Sequence, residues 1–227
     1  MASSADTQAL GLRERKKERT RELIAETARQ LFLERGFEAV TVAEVARTAE
    51  VSEKTVFNYF PTKEDLFYSR LEAFEEELLG AIHSRTQGES ALDAFRRFVL
   101  QPRGVLAMEG DGAGAEATER LRAITRVITD SPALRARERE VFARYTSSLA
   151  DLLAEETRSR ARDVQPWVVA NALIGVHRSL IDFVRARVLA GKSASAIARE
   201  LRGEGKRAFA LLEGGLSGYA VKRESAS

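Results

Sequence analysis

Cysteine is absent from the chain, which excludes a disulfide, a thiolate nucleophile and a Cys-ligated metal. Histidine is nearly as scarce, with only His83 and His177. Neither a His-Glu-x-x-His run nor a nucleophile elbow occurs. Catalytic residues, metal ligands and cofactors are therefore all expected to be none, and a helical enzyme with a carboxylate-only site is the remote alternative. Proline is limited to 4 positions and β-branched runs are few, a balance that favours an all-α fold. No secretory signal pattern opens the chain, and with no cysteine the expected location is cytoplasmic. A long uncharged apolar run is also missing. The most apolar segment, Val164 to Ala190, carries His177, Arg178, Asp182, Arg185 and Arg187, so no membrane partner is expected.

What is present is helical periodicity and an uneven charge. The whole chain of 227 residues has a net charge of only +2. Gly11 to Arg21 alone holds six basic residues (Arg13, Arg15, Lys16, Lys17, Arg19, Arg21) against Glu14 and Glu18, a local +4. Affinity for a polyanion must come from this basic end.

Apolar positions Leu23, Ile24, Ala28, Leu31 and Phe32 predict a helix from about Arg13 to Arg35, stopped by Gly36. Thr41 with Glu44 three residues on predicts a capping box and a short second helix. Ser52 opens a third, which Pro61 ends, and Thr62 with Asp65 caps a fourth that carries Leu66, Phe67, Leu71, Phe74, Leu78, Leu79 and Ile82. Two short helices around a tight turn, propped on a longer basic one, make a helix-turn-helix. In a recognition helix, Ser52, Glu53, Lys54 and Thr55 would approach base edges, Val56 and Phe60 would anchor it, and Asn58, Tyr59 and Lys63 would reach the flanks. Phe57, Tyr59 and Phe60 at this spacing equally suit the core of a helical bundle.

The segment Arg19 to Leu66, with "LFLERGF", Thr41, "TVFNYF" and "P.KEDL", resembles the N-terminal DNA-binding domain of the tetracycline-repressor (TetR) family of bacterial regulators. The resemblance implies phosphate contacts from Thr41, Asn58, Tyr59 and Lys63, and base-facing positions at Glu53, Lys54, Thr55 and Phe57. Three residues depart from the family pattern. Glu50 stands where glycine is usual in the turn, Glu53 puts a carboxylate at the front of the recognition helix, and Asn58 replaces a more frequent aromatic.

Beyond the head, amphipathic helices are expected at Ala91 to Leu100, Ala117 to Thr129, Ala133 to Ser159, Pro166 to Ala190 and Ala194 to Leu212. The Gly-rich stretch "QPRGVLAMEGDGAGAEA" is expected to be a flexible loop, and Glu75, Glu76 and Glu77 a solvated acidic face. The resulting division is a disordered N-terminus at 1–12, a helix-turn-helix domain at 13–61, a ligand-binding and dimerisation domain at 62–216 and a flexible tail at 217–227. Apolar surface from Phe98, Ile124, Ile128, Phe142, Tyr145, Leu149 and Leu173, with His177 as a polar group, makes a candidate pocket for a small hydrophobic effector. These same residues also suit ordinary core. The family resemblance further implies a homodimer through the last two long helices, a palindromic double-stranded DNA operator and, from the layout of the body, an acyl-CoA-like effector. The function expected is a dimeric repressor released by that effector. The alternative is a DNA-binding regulator without a small-molecule ligand, controlled by a protein partner.

Overall fold

A computed structural model of the chain describes residues 4–69, 71–108, 114–160 and 163–215. Among the described residues the regular structure is helical, with ten α-helices, one 3-10 turn and no strand, and the chain divides into two compact units. The first takes in the chain up to Glu72 together with Arg126–Arg137. The second takes in Ala73–Thr125 and the chain from Glu138 onward.

In the first unit, α1 (Ser4–Arg35) packs on α2 (Val42–Thr48) and α4 (Lys63–Phe67), and α2 packs on α3 (Glu53–Tyr59). The start of α1 lies ahead of the expected Arg13, so 1–12 is not irregular throughout. Gln8, Ala9, Leu10 and Leu12 are strong helix formers, and a helix already nucleated downstream extends through them at little cost. Its end is as expected: the Gly36 amide donates to the Phe32 carbonyl and Gly36 adopts φ +83°, the left-handed C-terminal conformation that glycine takes without strain. Buried in this unit are Ile24, Ala28, Phe32, Val40, Val45, Val56 and Leu66, joined by Val127 and Leu134 from the second stretch of chain. Phe32 lies 5.0 Å from Phe37 and 6.2 Å from Phe67, centroid to centroid.

The expected fourth helix is two helices, α4 and α5 (Leu71–His83), interrupted after Tyr68. Arg21 takes the Ser69 carbonyl at 3.0 Å and the Tyr68 hydroxyl donates to the Leu134 carbonyl at 3.3 Å. These partners satisfy groups that a continuous helix would have oriented otherwise.

The second unit holds α6 (Ala91–Val99), most of α7 (Ala115–Asp130) and α8 (Pro132–Glu156), and all of α9 (Gln165–Leu189) and α10 (Ala194–Gly214). Helix α10 packs on α9, on α6 and on a 3-10 turn at Gly104–Met108. That turn occupies part of the stretch expected to be a flexible loop. Leu106 is buried in it, and an apolar anchor gives the segment a fixed place. Glu75 likewise departs from the solvated face expected of it. It accepts from Arg144 Nε at 2.8 Å and Ser148 Oγ at 2.7 Å. Helix α9 is long and apolar enough by length and composition to cross a membrane. Its packing against α10 and α6 and its ion pair from Arg185 to Glu138 are those of a bundle helix.

Candidate nucleic-acid interface

Each short helix of the first unit starts on a hydroxyl. Thr41 Oγ1 accepts from the Glu44 amide at 3.2 Å while Glu44 Oε2 accepts from the Thr41 amide at 2.8 Å, a reciprocal capping box. Those bonds, with Arg35 at 3.0 Å, hold the Glu44 carboxyl down at about 2. Ser52 Oγ accepts from the Thr55 amide at 3.0 Å and lies 2.8 Å from the Thr55 hydroxyl. Thr62 and Asp65 repeat the box at α4. These caps satisfy amides that would otherwise be orphaned at each helix start, and so fix where α3 begins.

The turn between α2 and α3 is left-handed at Glu50, φ +55°. The strain is accepted rather than avoided: the Glu50 amide donates to the Arg47 carbonyl at 3.2 Å and the Val51 amide to Ala46 at 2.9 Å. A non-glycine residue held there costs about 1 kcal/mol.

Along α3, burial separates the two faces. Val56 and Phe60 are buried, as their anchoring role requires. Ser52, Glu53, Lys54, Phe57 and Asn58 are exposed, with Phe57 47% accessible. Thr55 is half-buried and its hydroxyl is engaged by Ser52. Tyr59 is half-buried against the apolar cluster. Positions 53, 54, 57 and 58 therefore make one outward face presenting a carboxylate, an ammonium, an aromatic ring and an amide. Lys63 is not on that face. It lies half-buried with Nζ 4.3 Å from the Phe37 ring centroid, and burial lowers its pKa. Thr41 is exposed, but its hydroxyl is committed to Glu44.

The effector candidates do not all fall together. Phe98, Phe142, Tyr145, Leu149 and Leu173 are buried and Ile124 is half-buried, all in the second unit. Ile128 is buried in the stretch that belongs to the first unit, because helical periodicity does not register where one helix passes from one unit to another. His177 stacks on Phe74 at 5.2 Å and meets Phe142 edge-on at 6.0 Å. Phe74 also stacks on Tyr145 at 5.7 Å and meets Phe98 at 5.4 Å. Burial, and secondarily Arg103, push the His177 imidazole down to about 4. Sequence reasoning left Phe74 out of this set because it shares the apolar stripe of its helix with plain core residues.

A capped helix that turns four polar and aromatic side chains outward, behind a left-handed turn and on a buried anchor, defines a helix-turn-helix DNA-binding protein. Residues 24–69 match the model of the bacterial regulatory proteins of the tetR family, and residues 103–216 match that of the MftR C-terminal domain. The chain belongs to the TetR family and is a DNA-binding transcriptional regulator. The HTH-type transcriptional regulator TcmR of Streptomyces glaucescens is 39% identical over 85 residues, which is 37% of this chain and 38% of TcmR. The putative mycofactocin biosynthesis transcriptional regulator MftR of Mycobacterium tuberculosis is 26% identical over 168 residues, 74% of this chain and 81% of that one. Among solved structures, a putative TetR-family regulator from Syntrophomonas wolfei superposes with TM-score 0.57 at 17% identity, covering 89% of this chain and 98% of the other. Salmonella enterica GusR gives 0.51 at 19%, covering 86% and 94%. These two likenesses show the fold.

Proposed function

We propose that the chain is a cytoplasmic, dimeric repressor that binds a palindromic operator and is released from it by a small, largely apolar effector. The observation that carries the DNA-reading part is the division of α3, with Val56 and Phe60 buried and Glu53, Lys54, Phe57 and Asn58 outward. Lys54 and Asn58 carry the donors that base edges accept, and Phe57 suits the thymine methyl. Glu53 favours the positive end of the helix and accepts from a cytosine amino group, while repelling phosphate.

Support for the dimer comes from α9. Val164 just before it, then Trp167 and Val168, are exposed at 64%, 45% and 59%, and Leu189 at its far end at 62%. Apolar surface of this size on a helix otherwise packed into a bundle suits a partner helix, and a second copy supplies the two-fold symmetry a palindrome needs. For the effector, the rings of Phe74, Phe98, Phe142 and Tyr145 around a neutral His177 offer largely apolar walls with the His177 imidazole among the hydrogen-bonding groups. Release follows if the effector favours a dimer geometry in which two heads no longer match successive major grooves.

The test is selection from a random duplex library at physiological salt, followed by sequencing of the retained DNA. An enriched inverted repeat is the expected result, and recovery of unrelated sequences alone overturns the reading. With the operator in hand, thermal melting against acyl-CoA esters and other apolar compounds identifies effectors by mass action. A compound that releases DNA yet binds free and operator-bound protein equally tightly contradicts the release mechanism.

A further inference from the structure

Three carboxylates near the helix starts of the first unit are engaged with neighbours. Glu44 accepts from the Thr41 amide and from Arg35, Asp65 from the Thr62 amide and from Arg137, and Glu38 from the Ser131 hydroxyl at 2.6 Å. Glu53 has no such neighbour. It is exposed on the first turn of α3 and makes neither a hydrogen bond nor an ion pair among the described residues. Ser52 already caps the helix. Val56 and Phe57, the residues three and four further on, hold no cation that could neutralise the charge. Beyond the helix dipole, nothing in the fold calls for a carboxylate here.

Its place is on the face that α3 turns outward, one turn before Phe57 and beside the exposed Lys54 and Asn58. A carboxylate carried into a major groove is repelled by the phosphates on both sides and needs a hydrogen-bond donor in exchange for its lost water. Guanine offers two acceptors there, N7 and O6, and thymine offers the O4 acceptor with its methyl group. Adenine sets its N6 donor beside the N7 acceptor. Cytosine alone presents a donor, its N4 amino group, with no acceptor on its own edge.

We infer that Glu53 is a specificity-determining residue of this recognition helix and that it acts by exclusion. It admits a half-site that places a cytosine amino group against it, and it turns other sequences away because they leave the carboxylate unpaired among acceptors and phosphates. The inference rests on the reading of α3 as the base-reading helix and adds to it which base is demanded and how. Specificity is a difference of affinities, and a group that penalises the wrong partner widens that difference without tightening the right complex. Glu53 therefore lowers affinity for random duplex, whereas Lys54 beside it adds attraction that any phosphate can use.

The test compares full-length wild type with Glu53→Gln and Glu53→Ala, by selection from the random library and by fluorescence anisotropy on the selected operator and a scrambled duplex. Neither change touches Ser52, so α3 keeps its cap, and thermal melts verify that the variants fold. The expected wild-type consensus has a C·G pair in each half-site whose identity the variants no longer require. Glu53→Gln moves the preference there toward adenine, and Glu53→Ala leaves no base preferred. The ratio of operator to scrambled affinity falls by about 5- to 150-fold in both, the cost of one mismatched pair, while binding to the scrambled duplex tightens. N4-methylcytosine at that pair weakens the wild type and leaves Glu53→Ala unaffected. Operator and scrambled duplex tightening together, with the ratio unchanged, would make Glu53 a source of repulsion that reads nothing; this overturns the inference and leaves the α3 reading standing. A fall in the ratio of the same size for Glu50→Gln, which removes a charge from the exposed turn ahead of α3, assigns the effect to charge in general and also overturns it. A wild-type protein that selects no sequence overturns both readings.

Discussion

Arg137 reaches Asp65 with two nitrogens, Nη2 at 2.8 Å and Nε at 3.1 Å from the same carboxylate oxygen, while the other oxygen of Asp65 caps α4 through Thr62. One carboxylate thus serves as a helix cap and as the partner of a residue far along the chain, inside the unit that carries the recognition helix. Arg137→Ala removes a half-buried, charge-assisted pair and is expected to destabilise that unit by about 1–2 kcal/mol. Operator affinity should fall with no change in salt slope, since the Arg137 guanidinium is engaged by Asp65. Denaturant melts combined with a salt series check both parts.

Glu50→Gly is expected to stabilise the protein by about 1 kcal/mol, because glycine takes φ near +55° without the clash a Cβ brings. A lower denaturation midpoint for the glycine variant would show that the carboxylate has a compensating partner.

Lys63→Ala and Thr55→Ala should act on different observables. If Lys63 leaves the Phe37 ring to meet a phosphate, its loss weakens operator and random DNA equally and flattens the salt dependence by about 0.9. It also forfeits a cation–π contact worth about 0.5–1 kcal/mol. Thr55→Ala should instead change which sequences are enriched, because it frees the Ser52 hydroxyl at the front of α3. Equal effects of the two changes on sequence preference would contradict this division.

His177 makes stability depend on pH. Its folded value of about 4 lies below the ordinary 6.5, so the unfolded chain binds the proton first as pH falls. The contribution of the neutral ring is fully present above about pH 6.5 and is lost progressively toward pH 4. His177→Leu lacks this term. The melting temperature of the wild type relative to His177→Leu should therefore drop between about pH 7 and about pH 5, and a constant difference would refute the assignment.

The helix starts of the head were legible because they are local. Thr41 with Glu44, Ser52 with Thr55 and Thr62 with Asp65 are all contacts across three residues, and such contacts leave a signature in the sequence itself. The interruption after Tyr68 was not legible, since its partners Arg21 and Leu134 lie 48 and 66 residues away. The 3-10 turn was hidden by the glycines around it, and which of its apolar residues would be the buried anchor, Leu106, is set by packing rather than by the local sequence. Glu75 was hidden in a run of three like residues, of which only the helix's angular placement selects the one that meets Arg144. For the same reason the sequence listed the polar residues of α3 and of the start of α4 but not which of them turn outward: Lys63 and Thr55 look as available as Lys54 and Asn58 until burial separates them.

The first unit is assembled from two stretches separated by more than fifty residues of the other, and this has a consequence for synthesis. A ribosome that has released the chain as far as Glu72 has released the whole recognition helix, but not Val127 or Leu134, which complete its core, nor Arg137, which meets Asp65. A chain that ends before the α7–α8 corner is therefore expected to carry its recognition helix on an incompletely packed core, so that DNA binding by the first unit should require much of the body to have been made.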